Sequence, residues 1–160
     1  MKRLAPMLLL VPIALGCAGR SAPAPAPPEA SAEIGKEIVW VRDSAEYPTA
    51  VLQAYRVATR QLERLAAGRD VGTWAVVMDA DETVISNLGY SIERAKVGAG
   101  WSEESWAVWV EAERATAMPG AIDFIGHVHR LGGYVAIVTN RRQATCDATG
   151  RNLEAVGVRF

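Results

Sequence analysis

The chain has 160 residues, 50% of them hydrophobic, with 17 Lys and Arg against 18 Asp and Glu and a formal net charge of −1. That length allows one domain of ordinary size plus appendages. The balanced charge excludes the basic stripe of a protein that grips a nucleic-acid polymer, and Cys17, Cys146, His127 and His129 do not have zinc-ligand spacing.

Met1, Lys2 and Arg3 form a positive start, and residues 4–15 form an apolar stretch too short to span a bilayer. Ala14-Leu15-Gly16-Cys17 follows and resembles a lipobox, in which the cysteine becomes the lipidated N-terminus. The expectation is a lipoprotein signal at 1–17, with plain secretion and an incidental Cys17 as the alternative. The Pro/Ala-rich tract behind it is extended and cannot build a core. Residues 18–36 therefore read as a linker that holds a domain off a membrane surface. A lipid-anchored place in the bacterial cell envelope follows from this reading. Acylation of Cys17 would leave Cys146 without an intrachain disulfide partner.

Folded structure is expected over 37–160. A short apolar run spans 38–41. Val51, Tyr55, Ala58, Leu62 and Leu65 then recur at four- and three-residue spacing, which predicts a helix over about 45–67. Pro48 fits its first turn and Gly68 its end. The apolar run 74–78 predicts a buried strand. It ends abruptly in Asp79-Ala80-Asp81-Glu82-Thr83. Strands followed by helices carry ligand sites at their carboxyl ends. Two carboxylates at i and i+2 are costly to hold close together there without a cation or a reaction to use them.

Ser102 caps a helix that opens with Glu103 and Glu104 and runs on through Trp106, Trp109 and Val110. Met118-Pro119-Gly120 breaks the chain. A further helix, about 121–131, places Phe124, Ile125, Val128 and Leu131 on one side. Gly132 and Gly133 end it, and 134–138 is predicted as a second buried strand. Strand, helical excursion and strand predict parallel pairing with a right-handed crossover. Residues 86–117 exceed what a crossover needs and read as a helical cap over the site, built together with the helix at 45–67. The second strand ends in Thr139-Asn140-Arg141, whose hydroxyl and neighbouring N–H groups suit a transferring phosphoryl group. A last helix is expected over about 143–156. His127 and His129, at i and i+2, lie on different faces of their helix and read as ordinary helix residues.

Asp-x-Asp-x-Thr after a hydrophobic strand resembles the first motif of the haloacid-dehalogenase-like phosphohydrolases. The longer string from Asp81 to Tyr90, with Val138-Thr139-Asn140-Arg141, is similar to the signature of the class C acid phosphatases, the bacterial lipoprotein acid phosphatase/5′-nucleotidase group. The resemblance runs from about Val39 to Phe160. It implies an α/β fold: a Rossmann-like parallel sheet of the haloacid-dehalogenase type with a helical cap. It implies a Mg²⁺-dependent phosphatase acting on small phosphomonoesters, nucleoside monophosphates among them. Asp79 would be the nucleophile and would form an aspartyl-phosphate. Asp81 would be the general acid and base, and Asp79 with the Asp81 carbonyl would hold Mg²⁺. Thr83 would hold the loop, Thr139 and Asn140 would orient the phosphoryl group, and Trp106 would stack on the substrate. Tyr90 would pack under the cap, and Trp109 would pack it against the core.

The family would continue past Phe160 with more strands, a Lys that neutralises the aspartyl-phosphate and a late acidic Mg²⁺ ligand. The expectation is accordingly that the C-terminal part of the core is absent from these residues. Such a piece would fold poorly and turn over slowly or not at all. The competing reading is a non-catalytic lipoprotein retaining part of the site. Asp81 argues against a dehalogenase, which needs no acid/base there, and the lipoprotein signal argues against a cytoplasmic mutase.

Overall fold

A computed structural model describes residues 33–159. Residues 1–32, with the expected signal and Cys17, and Phe160 lie outside the described residues. The 38–41 run falls within helix α1 (Lys36–Asp43), and α2 (Glu46–Ala66) follows. Ser44 Oγ accepts from Tyr47 N–H at 3.1 Å and so satisfies one free donor at the start of α2. Gly68 follows the end of α2 with φ 76°, a conformation that costs glycine little. The expected apolar stripe runs through Tyr55, Ala58 and Leu62, which pack on the core. It does not reach Leu65, which is 57% exposed because the helix has by then run past the core.

Strand β1 (Ala75–Met78) pairs in parallel with β4 (Tyr134–Ile137), Ala75 beside Tyr134 and Met78 beside Ile137. Parallel strands need a crossover, and residues 79–133 supply it. Both strands were expected to be buried, and they are buried on one face only. Met78 and Val135 are buried on one face, while Val77 and Tyr134 on the other are 66% and 62% exposed. A strand alternates faces with period two, and among the described residues only one face carries helices. Helix α5 (Ala121–Arg130) covers that face with Phe124, Ile125 and Val128. Burying each such side chain contributes about 1.5–3 kcal/mol. Helix α2 packs on α5, and Tyr55 meets Phe124 with ring centroids 5.5 Å apart.

Between Asp81 and Gly120 lies a feature that no periodicity announced. Strand β2 (Ile85–Ser86) pairs antiparallel with β3 (Thr116–Ala117), and Met118 N–H adds a bond to Val84 O at 2.9 Å. Two-residue strands are too short to show an alternation. This ladder closes the base of the excursion, so residues 86–117 leave and return at one point. Within it stand α3 (Leu88–Lys96) and α4 (Glu103–Glu111). Ser102 caps α4 as expected, accepting from Ser105 N–H at 3.2 Å. Helix α3 packs on α1, and α4 packs on α6 (Cys146–Ala155), which follows a single 3₁₀ turn at Gln143–Thr145. Buried Asn152 of α6 holds the backbone of Ala115, accepting from its N–H at 3.1 Å and donating to its carbonyl at 2.9 Å.

Candidate active site

The register of β1 and β4 brings their carboxyl ends together. Val138 N–H donates to Met78 O at 2.9 Å, so Asp79-Ala80-Asp81 and Thr139-Asn140-Arg141 emerge side by side. After β1 the chain folds into a tight loop on buried Ala80, whose carbonyl accepts from Val84 and Ile85 N–H, both at 2.9 Å. Glu82 takes φ 52°, a left-handed conformation rare for a side-chain-bearing residue. Tyr55 of α2 anchors the loop from outside, its hydroxyl donating to Thr83 O at 2.6 Å. The backbone of Thr83 is thus what ties the loop down; no hydrogen bond from its own hydroxyl is formed within the described residues. Burial pushes the Tyr55 phenol up from its ordinary value and keeps it a donor.

The two aspartates have opposite surroundings. Asp79 is exposed, and one carboxylate oxygen accepts from Ala80 N–H at 2.7 Å while the other makes no hydrogen bond within the described residues. Asp81 is held on several sides. Arg141 Nη2 lies 2.6 Å from Asp81 Oδ1 and Arg141 Nε 3.1 Å from Oδ2, a two-pronged contact. Asn87 Nδ2 donates to Asp81 Oδ1 at 2.8 Å. The Arg141 side chain is only 2% exposed and Asp81 18%, so this ion pair is largely withdrawn from water. Arg141 also reaches Thr149 Oγ1 on α6 at 3.2 Å and stacks over the Trp106 ring, 5.3 Å from its centroid.

Asp81, Asn140 and Trp106 line one cleft of about 450 Å³, together with Trp101, Arg141 and Arg142. At its mouth Arg142 pairs with Glu103 of α4, tying the loop after β4 to the excursion. Asp79 opens instead onto a neighbouring groove between α2 and β1, lined by Tyr55, Val77 and Phe124. Thr139 lines neither; its Oγ1 accepts from Arg141 N–H at 3.2 Å, which leaves the hydroxyl proton free to donate. Tyr90 is buried under the excursion, edge-on to Trp106 at 5.1 Å.

The donor set for a cation is small. Among the described residues no three His, Cys, Asp or Glu side chains converge. At the end of β1 the second Asp79 oxygen and the Asp81 carbonyl accept no hydrogen bond within the described residues. One carboxylate and one carbonyl suit Mg²⁺, which keeps several waters and uses phosphate oxygens as ligands. Asn87 and Arg141 emerged as structural partners of Asp81 only in three dimensions. Arg141 was visible as part of a motif, but its partner lies 60 residues earlier. Asn87 stood inside the quoted signature without any feature to mark its contacts.

The family described as HAD superfamily, subfamily IIIB (acid phosphatase) matches residues 20–160. Two solved structures of the class C acid phosphatase from Bacillus anthracis, one with tungstate bound, align at 32% identity with TM-scores of 0.70 and 0.69. They cover 76% and 75% of this chain, and the chain spans only 51% and 50% of theirs. The paired motifs at the ends of β1 and β4, the helical excursion between them and the family match across most of the sequence lead to one conclusion: this chain belongs to the subfamily IIIB acid phosphatases of the HAD superfamily.

Proposed function

We propose that the protein hydrolyses small phosphomonoesters, nucleoside monophosphates among them, through an aspartyl-phosphate on Asp79. The observation that carries this reading is the contrast between an exposed aspartate with one uncommitted oxygen and a neighbouring aspartate fixed beside the tip of a parallel strand. The uncommitted Asp79 oxygen attacks phosphorus and the ester P–O bond breaks. The leaving oxygen takes its proton from Asp81. Water then attacks the aspartyl-phosphate, Asp81 takes up the proton, and inorganic phosphate leaves. Thr139 and Asn140 orient the phosphoryl oxygens by donating to them. Trp106 offers its ring to an aromatic leaving group, a contact worth about 1–3 kcal/mol for a stacked base. Asp79 and the Asp81 carbonyl would hold Mg²⁺, which when bound supplies charge neutralisation for the phosphoryl group.

The protein is further proposed to be exported and anchored through lipid on Cys17. The sequence supports this with its basic start, short apolar stretch and Leu15-Gly16-Cys17.

The test is phosphate release from p-nitrophenyl phosphate and a nucleoside monophosphate by the purified chain, with Mg²⁺ and with chelator. Mg²⁺-dependent release, with acid-stable label from radioactive substrate lost in Asp79→Asn, is the expected result. A folded wild-type chain that releases no phosphate would sink the reading in favour of a non-catalytic lipoprotein. Labelling of Cys17 by radioactive fatty acid in cells, abolished in Cys17→Ala, checks the anchor.

A further inference from the structure

Asn87 is 4% exposed and belongs to no part of the proposed chemistry, yet its side chain sits at the centre of the site's polar contacts. Its amide nitrogen donates to Asp81 Oδ1 at 2.8 Å and to Glu82 Oε2 at 3.2 Å. Its amide oxygen accepts from Trp109 Nε1 at 2.8 Å and from Arg141 Nη2 at 3.3 Å. Ionised carboxylates only accept, and an indole N–H and a guanidinium only donate. The amide therefore fits one way round. Turning it over would set its oxygen against two carboxylates and its NH₂ against two donors.

Trp109 fixes that orientation from the excursion. It is 5% exposed on α4, and Arg114 stacks on its ring at 4.7 Å. Gly89 makes room for it: a Cβ at that position would lie 2.7 Å from the ring, closer than packed atoms approach.

We propose that Asn87 is a positioning residue for the phosphatase reaction, holding the Asp81 carboxylate in the direction from which it delivers a proton, with its own amide set by the Trp109 indole of α4. The excursion would thus contribute to the acid/base step as well as cover the cleft. This inference rests on the phosphatase reading given above.

The leaving group tests it. An alkyl phosphate expels a strongly basic alkoxide and depends on the proton from Asp81. p-Nitrophenyl phosphate expels a stable phenolate and scarcely needs one. In Asn87→Leu, kcat/KM for the alkyl ester, which reports the steps through expulsion of the leaving group, is expected to fall about 10²-fold, in the range of a lost general acid. For the nitrophenyl ester kcat/KM should fall several-fold at most; kcat for either ester also carries the water attack that Asp81 assists, so it does not separate the two leaving groups. Trp109→Phe keeps an aromatic side chain there and removes the indole N–H with the pyrrole part of the ring, so it is expected to give the same pattern more weakly. It also serves if Asn87→Leu does not fold, as judged by its thermal melt. Equal losses of kcat/KM on both esters, or none, in a folded variant overturn the positioning role while leaving the phosphatase reading intact. A wild-type chain that hydrolyses neither ester overturns both.

Discussion

Asp79 and Asp81 stand two residues apart on one loop, and the fold treats them as opposites. Asp79 faces water with one oxygen unused. Asp81 is largely withdrawn from water and held by Arg141 and Asn87. A carboxylate with uncompensated charge in water is free to meet a cation or an electrophile. One enclosed by fixed donors is held in place, and its position becomes a property of the surrounding fold. The difference teaches that a motif of two like residues acquires two roles through its neighbours, here an arginine 60 positions away and an asparagine six positions away.

The largest effect that would break this comparison is at Asp79. On the proposed reading Asp79→Asn abolishes phosphate release, a loss of at least about 10⁴-fold in kcat such as removal of a nucleophile produces. The exposed side chain contributes little packing, so the melting temperature should stay close to wild type. Steady-state kinetics and a thermal melt on the same preparation check both halves.

The reverse is expected beside Asp81. Arg141→Leu deletes the partner of a largely buried carboxylate, and breaking such a pair costs about 3–5 kcal/mol. Urea unfolding should show the midpoint falling while the slope is unchanged. The double variant Arg141→Leu with Asp81→Leu should recover much of that loss, because no unpaired charge is then left behind.

A smaller effect separates loop anchoring from the acid/base pair. Tyr55→Phe removes one hydrogen bond to Thr83 O and should cost about 1 kcal/mol. Its pH signature follows from burial, which raises the phenol in the folded chain. The folded state keeps the proton longer than the unfolded state does. The stability this gives is therefore fully present below the unfolded value, about 10, and is lost as pH rises through the folded one. Wild type should lose stability in alkali more steeply than Tyr55→Phe, as measured by denaturant midpoints across that window. Equal slopes would mean that the phenol gains nothing from its site.

The smallest effect is expected far from both aspartates. Arg114 and Glu93 form an ion pair at 2.5 Å that holds Glu93 below its usual value, but both side chains are about half exposed. Exposed pairs of this kind are screened by salt and contribute little. Glu93→Gln should leave the melting temperature within error at physiological salt. A clear drop would show that Arg114 steadies Trp109 through this pair.

Much of this molecule could be read along the chain. Alternation of apolar residues at helical spacing marked α2 and α5, Ser102 marked the start of α4, and the apolar runs ending in Asp79 and Thr139 marked two strands and the end at which a site would lie. These are local signals, set by backbone geometry, capping and the burial of one face, and neighbouring residues are enough to produce them. What the strands bury was not local. The same apolar runs fit burial on one face or two, and only the placement of α5 and α2 decided that Val135 is covered while Tyr134 is exposed. The β2–β3 ladder was too short to leave a period. The enclosure of Asp81 depends on contacts spanning 60 residues, and the way round of the Asn87 amide depends on an indole 22 residues on. The sequence by itself determined which residues carry charge and at which strand ends they emerge. The tertiary structure alone decided which of those charges is compensated, because hydrogen bonding and desolvation depend on distances that only folding sets.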